Sequence, residues 1–217
     1  TPRSQILKVV QAAAFAAALT LTSCESSSGS IAERVLRPEH FPEPEVEGIE
    51  EITEGEIALG RLLFYEPGLS LDSTISCGSC HGQVHAFADH NKALSHGVGG
   101  AEGRRNAPAL SNLAWHSSFM HDGGINHIEV LPLAPITDSL EMNLTLEEAL
   151  RRLDSNDEYR TSFQAVYGDD SISTAHLFKA LAAFQLSLVS ANAKYYQMIR
   201  GEVSFSVSEE IGHDLFL

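Results

Sequence analysis

The residues of this 217-residue chain best equipped for chemistry are Cys77, Gly78, Ser79, Cys80 and His81, a C-x-x-C-H run. Two thiols at this spacing on one helical turn can form thioethers with the two vinyl groups of a porphyrin. The run is the attachment signature of a c-type haem. The histidine that follows then lies under the ring, where its imidazole becomes an axial ligand to iron. Competing chemistries need other surroundings. A zinc site wants a second pair of Cys or His ligands at a comparable spacing, and the remaining cysteine, Cys24, stands alone. A thioredoxin-type redox pair wants a strand–helix–strand context, and the flanks carry little strand pattern. An accidental pair of buried cysteines leaves the adjoining His81 unexplained. Covalent haem on Cys77 and Cys80, with His81 as proximal ligand, is the expectation.

The elements that must position this run read as helices. From Thr53 to Tyr65 the apolar positions Ile57, Leu59, Leu62, Leu63 and Phe64 have helical spacing, Thr53 with Glu56 forms a capping box, and Pro67-Gly68 stops the helix. Residues 82 to 142 are rich in Gly and Pro, an irregular stretch of the length usually kept for function, here wrapping a haem. Thr145 with Glu148 and Ser155 with Glu158 are two further capping boxes, opening helices to about Leu153 and Tyr167, where Gly168 closes the second. Ser173 caps a long helix carrying Leu177, Leu181, Phe184 and Leu188; it is apolar around most of its circumference and should be the most buried. Lys194 to Arg200 adds one or two turns before Gly201. The class is all-α. At the end, Ser208 to Phe216 reads as a capped helix start whose Gly and Leu-Phe echo Gly60 to Phe64, as if a second unit begins there.

The chain is long enough for one substantial domain or two small ones. Its formal charge of −15 and pI near 4.9 argue against nucleic acid and anionic membrane surfaces as partners and favour a basic redox protein. Residues 1–23 read as an export signal: Arg3 and Lys8, then a largely apolar run to Leu21, then small residues. Leu21-Thr22-Ser23-Cys24 resembles the lipobox of bacterial lipoproteins. That resemblance implies cleavage before Cys24, acylation of its thiol and a membrane-anchored periplasmic protein on a flexible tether over 24–48. All three cysteines are thereby used, one for lipid and two for haem.

Several blocks in order resemble the bacterial dihaem cytochrome c peroxidase and MauG family. Leu59 to Tyr65 matches the helix before the first haem motif, and Thr74 to His81 the motif with its flank. Ala86-Phe87-Ala88-Asp89 follows. Gly103-Arg104-Arg105-Asn106-Ala107-Pro108-Ala109-Leu110 matches the G-x-R-N-A-P-x-L signature, and Asp122-Gly123-Gly124 the W-D-G block. Pro135 to Asp138, Leu140-Glu141-Met142 and the helix around Leu181 to Ser190 complete the match. The resemblance implies two cytochrome-c-like domains with one haem each and calcium between them. This chain supplies the N-terminal haem domain over 49–203 and the start of the second over 204–217, with a second C-x-x-C-H expected beyond Leu217.

The family's chemistry, so implied, is reduction of hydrogen peroxide to water, with electrons from a small donor protein (a cytochrome c or a cupredoxin). A MauG-like oxidase and a non-catalytic electron carrier are the alternatives, and a homodimer is left open. The family's distal glutamate falls on Glu129, a proton-moving base if its pocket is partly apolar. Arg104, Arg105, Asn106 and Pro108 fall in the haem-binding signature, the arginines as partners for propionates, and Trp115 is a candidate to carry electrons between haems, with simple packing as the plainer alternative. Three positions depart from the pattern. Phe119 stands where a distal glutamine is usual, His121 replaces the Trp of the W-D-G block, and Val98 occupies the place of a labile distal histidine, with His96 two residues earlier. Either His96 becomes the sixth ligand or the iron is open, as in MauG-like members. One iron accepts at most one more ligand, so most of His85, His90, His116, His121, His127 and His176 are surface or core residues.

Overall fold

A computed structural model describes residues 38–217 apart from residue 91. The expected export signal, the lipid-bearing Cys24 and the first part of the tether lie outside the described residues. Every regular element among the described residues is helical, as expected. Three isolated β-bridges pin loops, pairing Gly82 with Ala88, His96 with Glu102 and Phe119 with Ile125.

Two helices form the floor of the molecule. Helix α1 (Glu54–Phe64) begins with the expected capping box: the Glu56 amide donates to Thr53 Oγ1 at 3.2 Å, and the Thr53 amide donates back to Glu56 Oε2 at 2.9 Å. The haem-motif turn is α2 (Cys77–Cys80). The 82–142 stretch is loop and 3-10 turn, with α3 (Leu133–Thr137) as its one α-helix. Then come α4 (Leu146–Asp154), α5 (Asp157–Tyr167), ended by Gly168 at φ 75°, and α6 (Thr174–Leu186), capped by Ser173. Nine residues of α6 are buried, which makes it the central helix that its all-round apolar pattern requires. Helix α1 crosses it so closely that a Cβ on Gly60 would sit 1.9 Å from the Ala180 carbonyl oxygen and 2.9 Å from Phe184 Cβ. Glycine is therefore a packing requirement at position 60. Charge closes the same crossing, since Lys179 Nζ on α6 lies 3.0 Å from Oε1 of the buried Glu56.

Three expected caps differ. Thr145 does accept from the Glu148 amide, but the Glu148 carboxylate turns to Arg151 and Arg152, so that box is only half formed. Asn156, not Ser155, caps α5, because Ser155 ends α4 with its hydroxyl donating to Arg151 O, and Asn is at least as good a cap. The last helix, α8 (Val207–Phe216), follows α7 (Lys194–Ile199) and starts two residues earlier than expected, boxed by Ser206 with Glu209. Its echo of α1 does not extend to packing. Gly212 meets nothing within 4 Å, and Ile211, Leu215 and Phe216 are exposed.

Arg152 on α4 braces the approach to α2. Its guanidinium donates to Gly68 O at 2.9 Å, Ser70 O at 2.7 Å and Leu71 O at 3.0 Å, while Glu148 holds it at 2.8 Å. Three carbonyls of the loop between α1 and α2 are thus satisfied by one planar fork, a pattern lysine cannot reproduce.

Two stability measurements check this floor. Gly60→Ala should lower the urea midpoint by the equivalent of about 3 kcal/mol, the upper end for overpacking against backbone. At Glu56, burial pushes the carboxyl up, but the Thr53 amide, Lys179 and the Thr53 hydroxyl outweigh it and the net shift is downward. A depressed folded-state value means that its stabilisation is present above the ordinary carboxylate range and is lost as pH falls through that range and below it. Glu56→Gln should cost about 1 to 2 kcal/mol at neutral pH and flatten the fall in melting temperature below about pH 4.5.

Candidate functional site

The turn of α2 and the residue that ends it fix the geometry of the motif. Ser76 and Ser79 close a capping box around it, and a Cβ on Gly78 would come within 2.6 Å of the Tyr65 ring, which accounts for the small residue between the cysteines. His81 follows as the C-cap. Its Nδ1 lies 3.0 Å from both Phe87 O and Pro108 O. Two carbonyl acceptors place the proton on Nδ1 and leave Nε2 with a free lone pair, the tautomer a metal-ligating histidine needs. Burial lowers the His81 pKa, against the two carbonyls and the charge of Asp89, so the ring is neutral and ready to ligate. The Phe87 carbonyl is aimed by two successive left-handed residues, Ala86 at φ 57° and Phe87 at φ 58°. Strain of that kind on non-glycine residues is kept where the surroundings demand it.

Around this motif lies a cavity of about 490 Å3 with a predominantly apolar wall, within the range of small-molecule and cofactor pockets. The sequence-expected Cys77, Cys80, His81, His96, Arg104, Arg105, Asn106 and Pro108 all line it. Burial pushes the Cys77 thiol up to about 12 and raises that of Cys80. Both cysteines are free, with no disulfide between them. A redox dithiol relies on a lowered thiolate pKa, so these thiols are unsuited to that chemistry. Arg105 donates from Nε to Asp122 Oδ1 at 3.2 Å, and Asn106 Nδ2 donates to Lys92 O at 2.6 Å, holding the signature loop against the segment after the motif.

Two expected residues lie outside the cavity wall. Trp115 is half-buried: its Nε1 donates to Pro42 O at 2.8 Å and its ring meets Phe41 edge-on at 4.6 Å, so it ties down the connector before α1. Glu129 is exposed on the 3-10 turn Ile128–Val130, where Ile128 takes the buried position, although Leu131 and Pro132 just beyond it do line the cavity.

Other wall residues were named in the sequence without a binding role. His116, His121 and Phe119 line the cavity, as do Asp138 and Glu141. The Glu141 carboxyl is raised by burial and by Asp138. A Cβ on Gly97 would come within 2.4 Å of Glu141 O, which packs the His96 loop onto this segment. The signal was present in the Leu140-Glu141-Met142 block, but a motif position alone does not say which way a carboxylate faces.

The donor set fits a c-type haem. Two thiols one helical turn apart, a neutral imidazole with Nε2 free and an apolar wall bordered by two arginines meet in one cavity. When bound, the haem would be held by Cys77, Cys80 and His81.

Comparison with known proteins agrees. Residues 54–204 match the family model described as di-haem cytochrome c peroxidase. The methylamine utilization protein MauG of Methylorubrum extorquens is 31% identical over 190 residues, covering 87% of this chain and 53% of its own. The cytochrome c551 peroxidase of Nitrosomonas europaea is 31% identical over 159 residues, 73% of this chain and 47% of its own. A crystal structure of a MauG-like protein associated with microbial copper homeostasis superposes with a TM-score of 0.77 at 32% identity, covering 83% of this chain and 54% of that one. The chain spans about half the length of these relatives. A cavity built around C-x-x-C-H, on a helical floor shared with these proteins, places the chain in the di-haem cytochrome c peroxidase family.

Proposed function

We propose that this chain is the N-terminal haem-bearing part of an exported, lipid-anchored periplasmic dihaem peroxidase. It reduces hydrogen peroxide to water with electrons from a small donor protein, a cytochrome c or a cupredoxin. A second haem and interdomain calcium belong to the same proposal and to the remainder of the protein, with a homodimer left open. The observation that carries the reading is His81 Nδ1 held between two carbonyls at a cavity that also presents both thiols, the arrangement that favours an unprotonated Nε2. When bound, the haem would supply the iron and would pass the donor's electrons on to peroxide.

The protein's own part is to hold, orient and move protons. His81 orients through its two carbonyls. Arg104 and Arg105 at the cavity wall supply charge for propionates. Cleaving peroxide requires a base that takes a proton from one oxygen and returns it to the other. Glu129 is proposed for that role on its position after the Asp122-Gly123 block. It must swing inward from the turn before Leu131. Glu141, already at the wall and with its carboxyl raised by burial and Asp138, is the comparison that decides the assignment.

His96 is proposed as the sixth ligand. In support, it lines the cavity and its buried Nδ1 has no hydrogen-bond partner, while Nε2 stands 4.0 Å from Glu102. A MauG-like oxidase is the second reading, favoured by the coverage of the MauG relative and the MauG-like structure.

Matured in a cytochrome-c-competent host, the chain should be red and should keep its pigment through denaturation and acid–acetone extraction. Cys77→Ala with Cys80→Ala should release the pigment. Glu129→Gln should lower peroxide turnover of the full-length enzyme roughly 100- to 10,000-fold with unchanged haem content. The same loss in Glu141→Gln, with Glu129→Gln unaffected, would transfer the proton role to Glu141. His96→Ala should convert a low-spin ferric spectrum to high-spin; a spectrum already high-spin in the parent protein would mean an open iron.

A further inference from the structure

Asp89 is a carboxylate sealed in protein and short of partners. Its side chain is 5% exposed. Among the described residues, its Oδ2 is one of three buried side-chain polar atoms with no hydrogen bond. Lys92 Nζ, 3.4 Å away, offers a charge but no hydrogen bond, and Lys92 is 39% exposed. Leaving one oxygen of a buried carboxylate without a hydrogen bond is costly, and the partly exposed Lys92 offsets only part of that cost, which leaves a place for a second positive charge.

The surroundings point to where that charge belongs. Asp89 follows Ala88, which bridges to Gly82 beside His81, and its amide donates to Ala107 O at 3.4 Å. Phe87 and Pro108, the two residues whose carbonyls hold His81 Nδ1, therefore flank it on both loops. Its charge is therefore carried beside the two loops that anchor His81. The path to them runs through low-dielectric protein, whereas Lys92 is partly screened by water.

Resting on the haem reading above, we propose that Asp89 is a positioning residue for the haem: a fixed negative charge beside the loops that hold His81, which favours the ferric over the ferrous state and so lowers the reduction potential. Ferric iron carries one more positive charge than ferrous, so a nearby anion stabilises it preferentially, one of the levers by which a protein tunes a haem. Lys92 acts in the opposite sense and trims the effect.

The test is spectroelectrochemical titration of the haem-loaded chain, which needs no turnover. Asp89→Asn should raise the midpoint so that, at the parent midpoint, ferrous exceeds ferric at least tenfold, about 59 mV for a one-electron couple. Asp89→Glu should stay within threefold of the parent, and Lys92→Gln should shift the ratio towards ferric. If Asp89→Asn fails to fold, the Lys92→Gln shift still decides. Unchanged midpoints in Asp89→Asn and Lys92→Gln, with only the melting temperature lowered, would make the pair a structural ion pair and overturn the proposal. A full-length, haem-loaded enzyme that shows the shifts but no peroxide turnover would keep Asp89 and remove the peroxidase reading; a chain that takes up no haem would remove both.

Discussion

A single imidazole proton, shared by His81 Nδ1 with the carbonyls of Phe87 and Pro108, holds the functional architecture together. It joins the loop after the haem motif to the loop carrying the Arg-Asn-Ala-Pro signature, and it decides which ring nitrogen faces the cavity. Without both acceptors the ring could rotate or change tautomer, and Nε2 would lose its aim. The Arg-Asn-Ala-Pro block thus owes part of its character to backbone. Pro108 contributes a carbonyl, a group that proline retains while lacking an amide, and Asn106 ties its loop to Lys92 O.

The lock works because the floor beneath it is rigid. Helices α1 and α6 meet across Gly60, with Leu59, Leu63, Leu177 and Leu181 almost fully buried. Phe64 at the end of α1 reaches the motif, its ring 6.5 Å from His81 and 6.1 Å from Phe87. Arg152 fastens the intervening loop from the other side. The motif turn of four residues is too short to be stable alone and is positioned entirely by these neighbours.

Local chemistry was legible in the sequence, and tertiary placement was not. The capping box at Thr53, the stop at Gly168 and the burial of α6 follow from short-range rules, and the structure has all three. The one-turn helix of the motif follows likewise from its short spacing. The cap at Asn156 was missed because two good capping residues stood side by side, and only the end of α4 decides between them. The carbonyl lock on His81, the Arg152 fork and the Ala180 contact of Gly60 join residues far apart in sequence and leave no periodic trace. Glu129 and Glu141 show the same limit. Both lie in family blocks, but in irregular chain there is no repeat from which to read a face, and only Glu141 lines the cavity.

The loops that form the cavity pay in backbone strain. Ala86, Phe87 and Met120 all adopt left-handed conformations, at about 1 to 2 kcal/mol each for residues bearing a Cβ. Together that is about 3 to 6 kcal/mol, comparable with the net stability of a small domain. Burial of Leu110, Leu113, Phe119 and Ile128 offsets part of it by anchoring these loops to the core. Of these three, Met120 lines the cavity, and Ala86 and Phe87 aim the carbonyl that holds His81. Such a distribution suits loops shaped around a large apolar group. A porphyrin filling the cavity would add contacts along these loops, and two covalent links would keep it there. On this view thioethers would serve folding as well as redox chemistry, by preventing loss of the group against which the loop conformation is set.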